Sequence, residues 1–405
     1  MGPLAGLRVL DLSRILAGPW ATQLLADLGA EVIKIEHPRG GDDTRRWGPP
    51  FLHDGAGNPS AESAYYLAAN RGKRSVAIDF SKTEGADLVR ELARHCDLLV
   101  ENFRPGGLAR HRLDWPSLQS LNPRLVYCSI TGYGQHGPNA QRAGYDAAIQ
   151  AEGGLMSLTG DAEGGPQKVG VAVVDLMTGM YAATGMLAAL RHAEATGEGQ
   201  HIDLALYDTQ VAMLANQAMN YLVGGQVPAR LGTAHPNIVP YQVMPARNGH
   251  FMLAVGNDAQ FARLCALVDR SALADDPRFA TNSGRVAHRQ SLVPALEAAF
   301  LVQPVEHWVT TLSAAGIPCA PVNGLDSVFA GPQAEARELR REIPHPLHPA
   351  LPLVANPLRL SASPVEFTHA PPLLGADTRE VLQLRLALDD GTLERLQEQG
   401  VIHAA

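Results

Sequence analysis

Through the first half of the chain, short apolar runs alternate with stretches whose apolar positions fall three and four residues apart. The runs at 7–12, 31–36, 75–80, 98–101 and 125–130 are rich in Val, Ile and Leu and short enough for strands. Residues 20–28, 84–95 and 114–121 carry helical spacing, with Gly18-Pro19 read as a break before the first of them. Strands alternating with helices predict an α/β domain with a doubly wound, mainly parallel sheet, whose ligands bind beyond the carboxyl ends of the strands. Further on, an apolar run ends in one acid, Asp175, and opens a helix predicted over 177–191 that is uncharged until Arg191. Such a helix is buried in a core or against another subunit. A strand at 201–205, a helix at 208–222 and a Gly- and Pro-rich loop at 224–242 follow. A strand at 251–255 and several helical patterns then read as a separate α+β module, and the Pro-rich tail, with a helix at 377–384, is expected to pack back on the first domain. The expected organisation is 1–222 for a large domain, 223–330 for a linker and smaller domain, and 331–405 for a return segment.

With 405 residues, 46% hydrophobic and 18% charged, the chain has ample material for two cores. A formal charge of −8 argues against nucleic acid as a partner, because no basic stripe is available to release counterions from phosphates. No run approaches the roughly 18 uninterrupted apolar residues of a membrane span, and the first residues lack a basic and apolar leader pattern. No membrane partner is expected. Cys96, Cys128, Cys265 and Cys319 are far apart and form no Cys/His cluster, so neither a disulfide framework nor a metal site is indicated, and a cytoplasmic setting fits.

Asp175 is the candidate for chemistry. A carboxylate at the end of an apolar segment loses hydration and must find either hydrogen bonds, as a helix N-cap would, or a function. Of the strand-end turns at 13–19, 37–42, 102–106 and 131–135, the first three hold Arg14, Arg39 and Arg104 close to Gly and Pro. Small residues let a ligand approach the backbone, and guanidinium groups suit phosphate, although a solvated surface role is open to each arginine taken singly. No G-x-G-x-x-G follows the first strand and no P-loop occurs, so the ligand suggested bears phosphate but is not held by those cradles. The irregular loop at 232–241 is either functional or a linker.

Several ordered blocks carry a resemblance: Gly6-Leu7-Arg8-Val9-Leu10-Asp11-Leu12, Ala17-Gly18-Pro19, residues 25–36, Gly41-Asp42, Asn70 with Lys73-Arg74-Ser75, residues 100–106, Gly144-Tyr145-Asp146, Val173-Val174-Asp175 and Pro371-Pro372-Leu373-Leu374-Gly375. Together they resemble the family III (CaiB/BaiF) coenzyme A transferases, from about residue 4 to the last helical pattern. The resemblance implies a Rossmann-like large domain, a smaller α+β domain, and an interlocked, ring-shaped homodimer. It implies no metal and no permanently bound cofactor, with a CoA thioester as co-substrate and a small carboxylic acid as acceptor. Asp175 matches the family's nucleophile, which forms a mixed anhydride and then an aspartyl-CoA thioester. Asp146 matches an acidic neighbour, either orienting or structural.

By the same resemblance, CoA contacts fall on Leu16, Ala17, His37, Ile78, Asp79, Asn102, Phe103, Arg104, Arg110 and Arg142. Relatives acting on formate and oxalate carry Gln at the Leu16 position and Arg at the His37 position, and their glycine-rich lid has no clear counterpart here. The loop around His235 looks instead like that of succinyl-CoA-dependent transferases acting on dicarboxylic acids such as glutarate. His235 and Arg14 are the candidates for the acceptor's distal carboxylate. α-Methylacyl-CoA racemases of the same fold have a His-Asp pair where this chain has Tyr145-Asp146. Tyrosine, with an ordinary pKa of about 10, is a poor base at neutral pH, which favours transfer over racemisation. A noncatalytic CoA-binding subunit would not require Asp175.

Overall fold

The alternating runs assemble into one seven-stranded sheet with spatial order Ile402–His403, Lys73–Ile78, Glu31–Glu36, Arg8–Asp11, Leu98–Glu101, Val126–Thr131, His201–Ala205. The structure, a computed structural model, describes residues 2–367 and 369–404. All neighbours pair in parallel except the two-residue strand Ile402–His403, which runs antiparallel to Lys73–Ile78. Helices cover both faces, which is why these strands read as continuous apolar runs and not as alternating ones. One face packs Ile33, Val76, Leu99 and Tyr127 against Val89, Leu92, Val381 and Leu396. The other packs Val9, Val32, Val100 and Cys128 against Leu25, Val174, Ala182 and Met186. From Arg8–Asp11 the chain first builds outward on one side and then returns to add Leu98–Glu101 on the other. That reversal is a topological switch point, and the crevice beyond its strand ends is where a ligand is expected.

Two compact units divide the chain: Met1–Gly154, Val169–Ala218 and Gln333–Ala405 form the first, and Leu155–Lys168 with Met219–Pro332 the second. The first holds the large sheet. Residues 155–168, which the sequence assigns to the large domain, cluster with the second unit instead. That unit has an antiparallel sheet, Cys319–Pro321, Gly249–Ala254, Tyr241–Ala246, over a core including Phe251, Phe261, Phe279, Phe300 and Trp308.

Three expectations need correction. The first helix spans Ala17–Asp27, so Gly18 and Pro19 lie in its first turn and do not break it, a position where proline's missing N–H costs nothing. The helix predicted over 208–222 is two, Leu206–Met213 and Ala215–Gly224, separated where Ala215 adopts φ +43°. The apolar run before Asp175 is not uniformly buried: Val171 is 58% exposed, and Val174 is fully buried. The helix that follows, Val173–Thr196, is long and apolar enough by composition to cross a membrane. Its Val174, Thr178, Gly179, Ala182, Met186 and Ala189 are nevertheless buried in the protein.

Candidate active site

At the switch point the first strand ends in Asp11, whose carboxylate organises the turn after it. Oδ1 accepts from the Ser13 N–H and hydroxyl at 2.9 and 2.5 Å, and Oδ2 from the Thr22 hydroxyl at 2.6 Å and Lys73 Nζ at 3.1 Å. Burial disfavours the charged form of Asp11, but Lys73 and Lys34 outweigh it and lower its pKa to about 2. The turn folds back so tightly that a Cβ on Gly18 would lie 2.3 Å from the Ser13 side chain. Asn70 also accepts from Lys73 Nζ, at 2.9 Å, so the Asn70/Lys73 motif residues support the turn from below.

Three consecutive residues of this turn are held from other strand ends. Lys34 Nζ donates to the Ser13 carbonyl at 2.8 Å. Asn102 accepts from the Arg14 N–H at 2.9 Å and donates to its carbonyl at 2.7 Å. The Asp42 carboxylate accepts from the Ile15 N–H with both oxygens at 3.2 Å. Ile15 adopts φ +74°, a genuine outlier for a β-branched residue.

Asp175 lies in the first turn of Val173–Thr196, whose N-cap residue is Ala172. The N-cap reading of Asp175 is therefore replaced by another arrangement. Asp146 Oδ1 accepts from the N–H groups of Val174 at 2.8 Å and Asp175 at 3.2 Å, capping the helix from a different segment. Gln150 holds the second oxygen of Asp146 at 2.6 Å. The Asp175 carboxylate is thus not consumed by capping. Burial, followed by the neighbouring charge of Asp146, pushes its pKa up to about 7.

Asp175 opens into a cleft of about 450 Å³ lined also by Arg14, Leu16, Ala17, Asn102, Phe103, Arg104, Arg110, Arg142 and Tyr145. An adjoining cavity of about 200 Å³ is lined by His37, Ile78 and Asp79, and shares Arg14 and Phe103 with the first. Every CoA-contact candidate thus lines one of two neighbouring cavities at the strand ends. Their roles differ. The Asn102 amide is taken up by the Arg14 backbone. Arg142 is paired with both oxygens of Glu152 at 2.9 and 3.0 Å and lies over the Tyr133 ring. Arg14 pairs with Asp43 at 2.7 Å. Arg104 makes no ion pair among the described residues, and Arg110 donates to His111 at 2.9 Å, so these two remain the guanidinium groups open to phosphate. His37 Nε2 lies 3.8 Å from Asp79. His235 is in the second unit, stacked on Tyr241, within a loop held by Asn282 and Arg289 through the carbonyls of Asn237, His235 and Pro236. Among the described residues no group of three or more His, Cys, Asp or Glu side chains could hold a metal ion.

Residues 4–378 match the model of CoA-transferase family III. The chain belongs to this family. It is 49% identical over 380 residues to the succinate–glutarate CoA-transferase of Agrobacterium fabrum, covering 94% of this chain and 95% of that protein. It is 42% identical to the human succinyl-CoA:glutarate CoA-transferase, covering 99% and 90% respectively. Among solved structures, a CaiB/BaiF family protein from Brucella suis superposes with a TM-score of 0.84 at 46% identity, over 95% of this chain and 99% of that one.

In this family III CoA-transferase, sequence reasoning missed Lys34, Asp42 and Ile15 as parts of the site. The signal was present in two cases: Asp42 stands in the Gly41-Asp42 block of the resemblance, and Lys34 interrupts an apolar strand expected to be buried on both faces, where a lysine needs a partner. The left-handed Ile15 had no signal, since isoleucine argues for the opposite backbone.

Proposed function

We propose that this CoA-transferase moves CoA from succinyl-CoA to a small dicarboxylic acid such as glutarate, with Asp175 as nucleophile. The observation that carries the reading is the Asp175 carboxylate, left out of helix capping by Asp146 and open to the cleft at the strand ends. The carboxylate attacks the thioester carbonyl and expels CoA thiolate, leaving a mixed succinyl-aspartyl anhydride. The thiolate attacks the aspartyl carbonyl and releases succinate, giving aspartyl-CoA. The acceptor carboxylate then attacks that thioester, expelling thiolate and forming a new anhydride. Thiolate attack on the acceptor's acyl carbon regenerates Asp175 and yields the new acyl-CoA. No oxidant, reductant or net proton is required, and covalent storage keeps the thioester energy from hydrolysis. The similarity to glutarate-using relatives over nearly the full chain supports the substrate class.

Arg104 and Arg110 are suited to the CoA phosphates, and the His37–Asp79 cavity to another part of the nucleotide. Arg14 and His235 are the proposed contacts for the distal carboxylate, and Arg14, which lines the cleft, would first have to exchange Asp43 for substrate. A homodimer is supported by apolar side chains left exposed on Val173–Thr196, where Met180 and Tyr181 are 45% and 48% accessible. Four free cysteines suit a reducing cytoplasm.

The test is mass-spectrometric detection of new acyl-CoA when the protein meets succinyl-CoA and a panel of free acids. Glutaryl-CoA or a related dicarboxylyl-CoA is expected with the wild type and not with Asp175→Ala. Deuterium uptake at the α-carbon of a 2-methylacyl-CoA without any transfer would replace this reading by racemisation. Tyr145 stands against that outcome, being 62% exposed at the cleft where the racemase places histidine.

A further inference from the structure

Resting on Asp175 as the nucleophile, we propose that the buried Lys34–Asp42 pair positions the reaction. It forces Ile15 into a left-handed conformation and so fixes the Ile15–Ala17 wall of the cleft that Asp175 shares. Lys34 and Asp42 meet at 3.0 Å with both side chains wholly inaccessible. Lys34 also reaches Asp11 and Glu36 electrostatically, and these carboxylates with Asp42 outweigh burial and keep it charged. Asp42 is fixed in turn by the Thr44 N–H at 3.0 Å and hydroxyl at 2.7 Å. Lys34 therefore grips the turn twice, directly at the Ser13 carbonyl and through Asp42 at the Ile15 amide.

A buried ion pair contributes little net stability compared with apolar packing of the same volume. A turn needing only φ > 0 is made without any grip by glycine. Here a β-branched residue takes that conformation while a charged pair beneath it over-determines the backbone, the pattern expected of strain held at a functional site. The consequence lies immediately downstream. Leu16 is the N-cap of Ala17–Asp27, with no side-chain cap and no acid in the first turn. Leu16 and Ala17 are themselves cleft wall. If Ile15 relaxed to negative φ, this wall would swing away from Asp175, and misplacement by about 1 Å lowers rates by up to about a hundredfold. Asp42 and Lys34 are positioning residues in this account, since neither touches the reacting atoms.

The experiment is a double-mutant cycle on the full-length protein, with kcat read for succinyl-CoA and glutarate. Asp42→Asn leaves one acceptor oxygen where two bind the Ile15 amide and sets an amide against the Lys34 ammonium. It is expected to lower kcat by about tenfold or more when residue 15 is isoleucine, and by less than about threefold in an Ile15→Gly background, because glycine holds φ > 0 unaided. An equal loss in both backgrounds overturns the proposal, since general damage to the fold does not depend on residue 15. If Asp42→Asn is insoluble, Thr44→Val removes the hydroxyl that orients Asp42, and the same dependence on residue 15 is expected with a smaller factor. Transfer by the wild type that survives Asp175→Asn, or no transfer at all, sinks the nucleophile reading and this one with it. Transfer that requires Asp175 with an additive cycle sinks the positioning role alone.

Discussion

Asp146 and Asp175 stand at one helix end and are separated in role by their hydrogen bonds. Asp146 accepts two helix N–H groups and a glutamine amide, whereas Asp175 faces the cleft with its charge opposed by burial and by Asp146. A carboxylate with a pKa of about 7 is a stronger nucleophile when ionised than one near 4, but a smaller fraction is ionised at neutral pH. The sign of the pH dependence follows. With Asp175 as the proposed nucleophile, protonation below about 7 blocks attack, so kcat/KM for transfer should rise with pH and level off above the folded value. Asp146→Asn retains an acceptor for the helix but removes the negative charge, so it should shift this limb to lower pH. The pH profiles of the two proteins check this, and coincident limbs would show that Asp146 acts only as a cap.

At the scale of elements, what sets Asp175 against the first turn is how closely Val173–Thr196 approaches Ala17–Asp27. Gly179, one turn beyond Asp175 on the same side of the helix, makes that approach possible: a Cβ there would lie 2.8 Å from the Ala17 carbonyl and 3.0 Å from the Trp20 ring. Gly185 in the same helix has only Ile202 methyl groups at 3.8 Å. Alanine ordinarily improves a helix by about 1 kcal/mol over glycine, so Gly185→Ala should raise the melting temperature slightly. Gly179→Ala should instead cost about 1–3 kcal/mol through overpacking and lower kcat as the helices part. Thermal melts and rates of the two variants separate these outcomes. The same elements show what the sequence reveals. Strands Glu31–Glu36 and Leu98–Glu101 coincide with their apolar runs, since burial on both faces leaves a continuous signal, and His201–Ala205, a half-exposed edge strand, was read at the same bounds. The turns bearing Arg14, His37 and Asn102 were legible as strand ends. The grip of Asp42 on Ile15 was not, because it joins residues 27 apart through a conformation that isoleucine disfavours. The strand Ile402–His403 and the hairpin of Arg340–His345 with His348–Val354 also went unread, being respectively too short and too proline-rich for periodicity.

For the molecule as a whole, the return of the C-terminal segment to the sheet decides whether the smaller cavity, the one proposed to take part of CoA, exists. Val381, Leu382, Leu393, Leu396, Val401 and Ile402 are all buried in the core that also holds Ile33, Val76 and Ile78. Ser75 donates to Asp377, Ala77 to the Thr378 hydroxyl and Asp79 to the Val401 carbonyl, at 2.9, 3.0 and 2.8 Å. Ile78 and Asp79, which line the smaller cavity, therefore sit at the end of a strand whose outer edge is closed by Ile402–His403. Burial of an apolar side chain contributes about 1.5–3 kcal/mol, so these six together amount to on the order of 10 kcal/mol, comparable to the net stability of a domain. Ending the chain after Ala376 should accordingly abolish cooperative folding and leave an open apolar edge prone to aggregation. The milder Leu396→Ala should cost about 2–5 kcal/mol and lower the melting temperature without removing transfer at 25 °C. Soluble yield and thermal melts distinguish the two. A truncated protein that melts cooperatively and still binds CoA would show that the parallel strands hold the site without the returning segment.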